Sequence, residues 1–451
     1  MKLVEAGAKI LFSRVGQVTA NAVVVLVVAK TLGPEGQGHY SLTVALAMLL
    51  AALLGGGMGL AAVPSLRQDK VPAVRMLKAQ SIWAVGMVLL LLLTAWWSTG
   101  AGPADVLHRR LGWFSGLGFL AAVAATGFLG FEIFSYDLLA RGRLVVGAAV
   151  NGGRAFVHLL VILALGLTGS LTFGRSVGVF AVAQLAGMLV MLVVLLREIR
   201  RPQPDTRTVS IREFISRTGI SEEGSDEIPA DLARRSLPGL ILYNLRHGWL
   251  GQISAVAYFL LLRLDQGLLE YYRGAAEVGI YSIAVYVGEM LWLLPGALTP
   301  LLVHSSAAHA SDPDRDRTAA RAVRIGILLT TAVGLPLFFL AEPLLALLAG
   351  GEYQGSGLAL RALLPGIVAF APGVVLAGDF IGRGKAHWNT QASVLTVVVG
   401  VVAGVLLIPG HGPVGAAWAS SIAYACGSAV MLVRFRQITR MSLRGLILGR
   451  M

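Results

Sequence analysis

Apolar runs of 18 residues or more recur along nearly the whole chain, separated by short polar segments. Each run is long enough to cross a hydrocarbon core about 30 Å thick. The apolar positions do not alternate with polar ones, as they would in barrel strands of about ten residues. The pattern therefore predicts membrane helices, and the fold class is an all-α polytopic membrane protein. Twelve spans are expected, at 10–32, 38–63, 77–98, 111–137, 144–168, 174–197, 238–266, 274–304, 322–348, 356–381, 387–409 and 413–434. Turns such as Leu32-Gly33-Pro34-Glu35-Gly36 and Pro409-Gly410-His411-Gly412-Pro413 separate neighbouring spans. Gly supplies positive φ there, and Pro cannot continue a helix.

The pattern also repeats. Gly38-His39-Tyr40-Ser41-Leu42 opens one apolar run and Gly279-Ile280-Tyr281-Ser282-Ile283 opens another 241 positions later. Arg141-Gly142-Arg143 returns as Arg383-Gly384-Lys385 after 242 positions. Two unrelated landmarks at nearly one offset imply a duplicated half of about 240 residues, an arrangement found in many alternating-access transporters. The expected organisation is an N-lobe (1–197), a cytoplasmic linker (198–236), a C-lobe (237–435) and a basic cytoplasmic tail (436–451), giving two homologous six-helix lobes.

Charge changes the picture in one respect. The 451 residues are 56% hydrophobic and 14% charged, with a net charge of +13. Charged residues make up about 25% of an ordinary soluble chain. In a soluble protein such a positive excess would suggest nucleic acid, but here it follows the membrane. With the N-terminus inside, the inner segments hold 28 Lys and Arg and the outer ones hold six. That split predicts that both termini are cytoplasmic. The first run is read as a retained helix, not a cleaved leader. Residues 211–217 suit a short interfacial helix, and the basic tail suits the anionic inner leaflet. Trp83, Trp96, Trp97 and Trp113 fall near span ends, as an interfacial belt does. Glu132, Asp137 and Asp379, near inner span ends, read as solvated or capping groups.

Candidate chemistry lies inside the spans. No Walker loop or zinc-ligand spacing is present, no outer loop is long enough for an enzyme site, and the single Cys426 reads as packing. An ionisable group at mid-bilayer costs about 2.5–3.5 kcal/mol on insertion scales, so such groups face a partner or a cavity. Arg14, Gln17 and Asn21 share a face of span one, and Asn151, Arg154 and His158 share a face of span five. Asn244, His247, Gly251, Ser254 and Tyr258 line span seven, with Arg246 on a neighbouring face. The candidate substrate-binding set is Arg14, Gln17, Asn21, Arg154, Arg246 and His247. Arg154 reads equally as an interhelical salt bridge. Glu289, near the middle of span eight, with Arg263 and Asp265, forms the candidate coupling or switch group; a permanent ion pair is the alternative.

Four segments carry a family resemblance: Leu32-Gly33-Pro34-Glu35-Gly36-Gln37-Gly38-His39-Tyr40; Leu264-Asp265-Gln266 with Val278-Gly279-Ile280-Tyr281-Ser282-Ile283-Ala284; Gly350-Gly351-Glu352-Tyr353; and Gly412-Pro413-Val414-Gly415-Ala416-Ala417-Trp418-Ala419-Ser420. In order and spacing they resemble the polysaccharide transporter branch of the multidrug/oligosaccharidyl-lipid/polysaccharide (MOP) exporter superfamily. The resemblance implies a central cavity between two six-helix lobes, lined largely by spans one, two, seven and eight. It also implies a flippase moving an undecaprenyl-pyrophosphate-linked oligosaccharide between leaflets of a bacterial inner membrane. Membrane lipids, a polysaccharide polymerase and glycosyltransferases are the implied partners. No cofactor is expected, and a proton or sodium gradient is the candidate drive. A cation-coupled multidrug exporter and a membrane-embedded polymerase or ligase are the alternatives. The excess of basic over acidic groups in spans one, five and seven disfavours the first; the short outer loops disfavour the second.

The charge split generates a topological prediction. With Cys426 replaced by Ala, a cysteine at Ser170 should react with an impermeant thiol reagent on intact cells, and one at Ser225 should not. Labelling at position 225 alone reverses the orientation.

Overall fold

A backbone N–H or C=O in lipid has no water to bond, so a spanning segment must satisfy its own polar groups, as a helix does. The computed structural model describes residues 2–98, 114–200, 229, 231–299, 302, 313–439 and 441. Among them there is no strand. The helices are α1 (Lys2–Leu54), α2 (Met58–Arg67), α3 (Ala73–Ser98), α4 (Phe114–Ala140), α5 (Leu144–Leu167), α6 (Phe173–Arg200), α7 (Leu237–Arg273), α8 (Ala275–Glu289), α9 (Leu293–Gly296), α10 (Pro313–Ala349), α11 (Ser356–Gly382) and α12 (His387–Thr439). Nine helices among the described residues are long and apolar enough to cross a membrane. This is a multi-pass membrane protein.

The helix boundaries depart from the sequence pattern in an instructive way. The Gly-Pro segments expected as turns are kinks of one residue. Gly33 (φ 68°, ψ −177°) interrupts α1 and Gly412 (φ 52°, ψ −130°) interrupts α12, each joining two helices. The following Pro34 and Pro413 take the first position of the next helix, where a missing N–H costs nothing. Conversely, the run expected as one span over 38–63 is broken. It stops at Leu54 and restarts at Met58 after Gly55-Gly56-Gly57, with Gly56 and Gly57 at φ 59° and 69°. The run over 274–304 also changes pitch, passing through a 3₁₀ turn at Met290–Trp292.

The repeated landmarks fold alike. After α4, Arg143 N–H donates to Leu138 O (2.8 Å) and Gly142 N–H to Leu139 O (2.9 Å). After α11, Lys385 N–H donates to Phe380 O (2.7 Å) and Gly384 N–H to Ile381 O (3.0 Å). These are two copies of the glycine-terminated helix end that satisfies its last carbonyls. The acids preceding them are Asp137 and Asp379. Both are buried, so of the two expected roles, solvated or capping, the solvated one does not hold for them. Asp379 takes Arg383 Nε at 2.6 Å, and Arg383 Nη2 also reaches Asp316 at 2.8 Å. Asp137 instead accepts Gln80 Nε2 at 2.9 Å, while Arg141 donates to the Glu198 carbonyl.

Two compact units are distinguished. The first comprises the described residues of 1–31, 40–204 and 226–259, the second those of 32–39 and 260–451. The first has a core of Leu129, Ile133, Phe134, Leu138, Met191 and Leu195 from α4 and α6. The second is centred on Val323, Val375, Leu376, Phe380, Met431 and Phe435 from α10, α11 and α12. Within the second unit, residues 32–39 of α1 cross the start of α8 backbone to backbone. A Cβ on Gly38 would lie 1.8 Å from Ala275 O, and one on Gly279 would lie 1.8 Å from Pro34 O. The contact is reciprocal under the 241-residue offset, which carries Pro34 to Ala275 and Gly38 to Gly279. Such small-residue crossings let membrane helices approach without an intervening side chain.

Gly38→Ala and Gly279→Ala should each lower stability by about 1–3 kcal/mol, the range for overpacking, although Ala is the better helix former. Gly153→Ala, with nothing within 4 Å of the added carbon, should be neutral or stabilising. Thermal unfolding of the three variants in lipid nanodiscs checks the ranking.

Candidate functional site

In the first unit the polar faces of α1 and α5 meet. Asn151 Nδ2 donates to Gln17 Oε1 at 3.0 Å, and Arg154 Nη2 donates to Asn151 Oδ1 at 2.7 Å. Ser13 Oγ donates to Ala148 O at 2.6 Å and helps fix this pairing. The Arg154 stem passes over Gly187 of α6, where a Cβ would lie 2.4 Å from Arg154 Cδ. Its guanidinium lies 5.6 Å and 5.3 Å from the ring centres of Phe128 and Phe131. Its Nε and Nη1 have no hydrogen-bond partner, and no acid pairs with it, among the described residues. Among the described residues Arg154 thus forms none of the interhelical salt bridges that the sequence also allowed. His158 is buried against Phe180, with ring centres 5.7 Å apart. Arg14 is exposed and Asn21 half-buried.

The span-seven residues divide. Asn244 is buried, with Nδ2 3.2 Å from Met76 Sδ. His247 Nδ1 lies 2.7 Å from Tyr243 O, with its ring stacked on Tyr243 at 4.0 Å. Arg246 is exposed. Glu289 has its own partner within the second unit. That role falls to Arg263, whose Nη1 and Nη2 donate to Glu289 Oε1 (2.7 Å) and Oε2 (3.0 Å) within the second unit. The two-pronged geometry is the strong form of an arginine–carboxylate pair. Beside it Asp265 accepts Tyr281 Oη (2.5 Å), Ser420 Oγ (2.8 Å) and Gln266 N–H (2.8 Å). Tyr281 and Ser420 fall within segments that carry the repeat or the family resemblance, but nothing in the sequence marks them as partners of Asp265.

Sequence reasoning also missed the break between α1 and α2. Gln252 of α7 spans it: Oε1 accepts Gly57 N–H at 2.7 Å, and Nε2 donates to Ala52 O. Trp83, expected in an interfacial belt, donates Nε1–H to the carbonyl of Leu54, the last residue before the break, at 2.9 Å. Trp113, residues 211–217 and the tail beyond 441 lie outside the described residues, as do the side chains of Trp96 and Trp97. Cys426 is half-buried.

With this geometry in view, the chain can be set beside known proteins. It superposes on the lipid II flippase MurJ in an inward closed conformation with a TM-score of 0.70 and 14% identity, over 98% of this chain and 91% of that one. An inward-facing multidrug resistance MATE transporter of the MOP superfamily gives 0.67 and 17%, over 94% of each. A MOP-superfamily transporter from Pyrococcus furiosus, described as having a binding pocket of reversed polarity, gives 0.56 and 16%, over 98% and 95%. The fold is that of MOP-superfamily transporters. In sequence, the capsular polysaccharide biosynthesis protein CapF of Staphylococcus aureus is 27% identical over 153 residues, 33% of this chain and 39% of that protein. The chain therefore matches about two fifths of that relative's length. No family profile matches the chain.

On this MOP-type fold the Arg263–Glu289 pair is nearly enclosed, with side chains 15% and 17% exposed. Removing one partner leaves the other charge uncompensated, which typically costs about 3–5 kcal/mol in a buried pair. Glu289→Gln or Arg263→Gln alone should therefore destabilise more than the double substitution. Thermal unfolding across the four-variant cycle measures the difference.

Proposed function

We propose that this protein is a flippase that carries a polyprenyl-pyrophosphate-linked oligosaccharide from the inner to the outer leaflet of the bacterial cytoplasmic membrane by alternating access. The observation that carries the proposal is Arg154, a guanidinium inside a membrane helix with no acidic partner among the described residues. A cation left uncompensated in a low dielectric attracts an anion far more strongly than it would in water. A pyrophosphate head group supplies that charge, while its polyprenyl tail stays in the lipid. The Gln17–Asn151–Arg154 chain adds amide groups suited to sugar hydroxyls beside the cation. The MOP-type fold and the partial match to a capsular polysaccharide biosynthesis protein support the same reading.

In this proposal the chain has twelve spans in two six-helix lobes around a central cavity. The two helices within α1, the two within α12, and α7, which is not one of the nine, supply the additional spans. Both termini and the linker are cytoplasmic. Arg14 and Arg246, both exposed, assist in drawing in the head group. Glu289 exchanges Arg263 for another partner during the cycle, driven by a proton or sodium gradient, and a polymerase and glycosyltransferases act on either side of the step. The multidrug-exporter alternative leaned on Glu289 and Asp265. Both carboxylates already hold partners, so neither stands open for a cationic drug.

The test uses proteoliposomes and an undecaprenyl-pyrophosphate-linked oligosaccharide. Arg154→Ala should lower flux about tenfold, equivalent to about 1.4 kcal/mol, and Arg154→Lys should restore part of it. Wild-type flux from correctly inserted Arg154→Ala protein removes Arg154 from the site. Export of cationic dyes by wild-type vesicles that do not move the lipid-linked sugar overturns the function.

A further inference from the structure

The helix break in the first unit borders a small hollow lined by Gly55, Gly57, Glu132, Tyr136, Gly251 and Gln252, among others. Glu132 stands on α4, eight residues before its end at Ala140. Four other acids inside the helices have partners: Glu289 has Arg263, Asp265 has two hydroxyls, Asp379 has Arg383 and Asp137 has Gln80, while Glu270 of α7 leaves its Oε2 unbonded among the described residues. The Glu132 carboxylate has no hydrogen bond or ion pair among the described residues. Glu132 and Tyr136, both from α4, are the titratable side chains of the lining; α1, α2 and α7 contribute none, and no basic side chain lines it. No charged group among the described residues neutralises this carboxylate.

From this arrangement we infer that the hollow binds a monovalent cation, a proton or a sodium ion, on Glu132, and that occupancy is transmitted to the adjoining helix break. Three features define the ligand. The hollow's polar groups, set among Met58, Leu60, Ile133 and Ala255, are backbone, the Gln252 amide, the Tyr136 phenol and the Glu132 carboxylate, and oxygen is the donor that a hard cation takes. The walls also touch one another: a Cβ on Gly59 would lie 2.6 Å from the Tyr136 ring, and one on Gly251 would lie 2.3 Å from Leu60 Cδ2. Contacts this close leave the hollow narrow on two sides. Finally, a lone carboxylate in a low dielectric is costly until it is neutralised.

Gln252 carries the effect to the break. It lines the hollow and at the same time bonds Gly57 N–H on one side of the break and Ala52 O on the other. A bound cation changes the field on that amide and so the hold on both helix ends. Trp83 reports the result, because its indole bonds Leu54 O and its ring lies 3.1 Å from where a Cβ on Gly56 would sit. The inference does not rest on the transported substrate, and its test uses none.

The test follows tryptophan emission of the full chain in lipid nanodiscs, with Trp83→Phe subtracted to isolate Trp83. One arm titrates sodium against choline at fixed pH, and the other titrates pH in choline alone. A saturable change is expected. Its appearance in the sodium arm identifies sodium, and its restriction to the pH arm identifies a proton. Glu132→Gln should abolish the change, and Glu132→Asp, which keeps the charge on a shorter arm, should shift its midpoint severalfold. An absent wild-type response, an unchanged response in Glu132→Gln, or a Glu132→Asp midpoint equal to wild type overturns the inference. Because Glu132→Asp retains the carboxylate, the test stands even if Glu132→Gln does not fold.

Discussion

Every backbone polar group at membrane depth must find its partner within the protein, and this requirement determines where the helices of this chain can stop. At Gly33-Pro34 and Gly412-Pro413 the interruption is confined to one residue, because positive φ at Gly and the missing N–H of Pro leave almost nothing unsatisfied. At Gly55-Gly56-Gly57 the interruption is longer, so a side chain from another helix has to repair it. Gln252 is suited to that task because a carboxamide both donates and accepts. It meets an orphan N–H and an orphan C=O at once.

Charges inside the helices follow the same accounting with larger stakes. Arg263 and Glu289 satisfy each other through two hydrogen bonds, and Arg383 is shared between Asp379 and Asp316. These pairs hold helices in register. Arg154 and Glu132 are different: each lacks a counter-charge among the described residues, and they are of opposite sign. Arg154 is cushioned by two phenyl rings, which offset part of its burial without neutralising it. The first unit thus presents one site suited to an anion and one suited to a cation.

The helical class was legible because apolar run length is a direct consequence of membrane thickness. The polar stripes on spans one and five were legible as faces, and the Gln17–Asn151 bond joins them. Their partners were not legible. Nothing in the spacing of Arg263 and Glu289 distinguishes that pairing from one with Arg246 or His247, since pairing depends on how helices rotate and pack. The break at Gly55-Gly56-Gly57 was hidden because glycine is common in membrane helices. The burial of Asp137 and Asp379 was hidden because residues near a span end can point either way, and here Gln80 and Arg383 draw them inward.

The crossing of Gly38 and Gly279 has a consequence of its own. A contact made by bare backbone has no rotamers to freeze when it forms, so it escapes the side-chain entropy loss that long residues incur. Its attraction rests on dispersion and Cα–H···O contacts, which fade within an ångström or so of separation. A seam of this kind therefore behaves like a snap fastener: it is short-ranged, fast to re-form and indifferent to side-chain repacking. Because the repeat places a glycine at the equivalent position on both sides, neither helix has to adapt to the other as the seam closes.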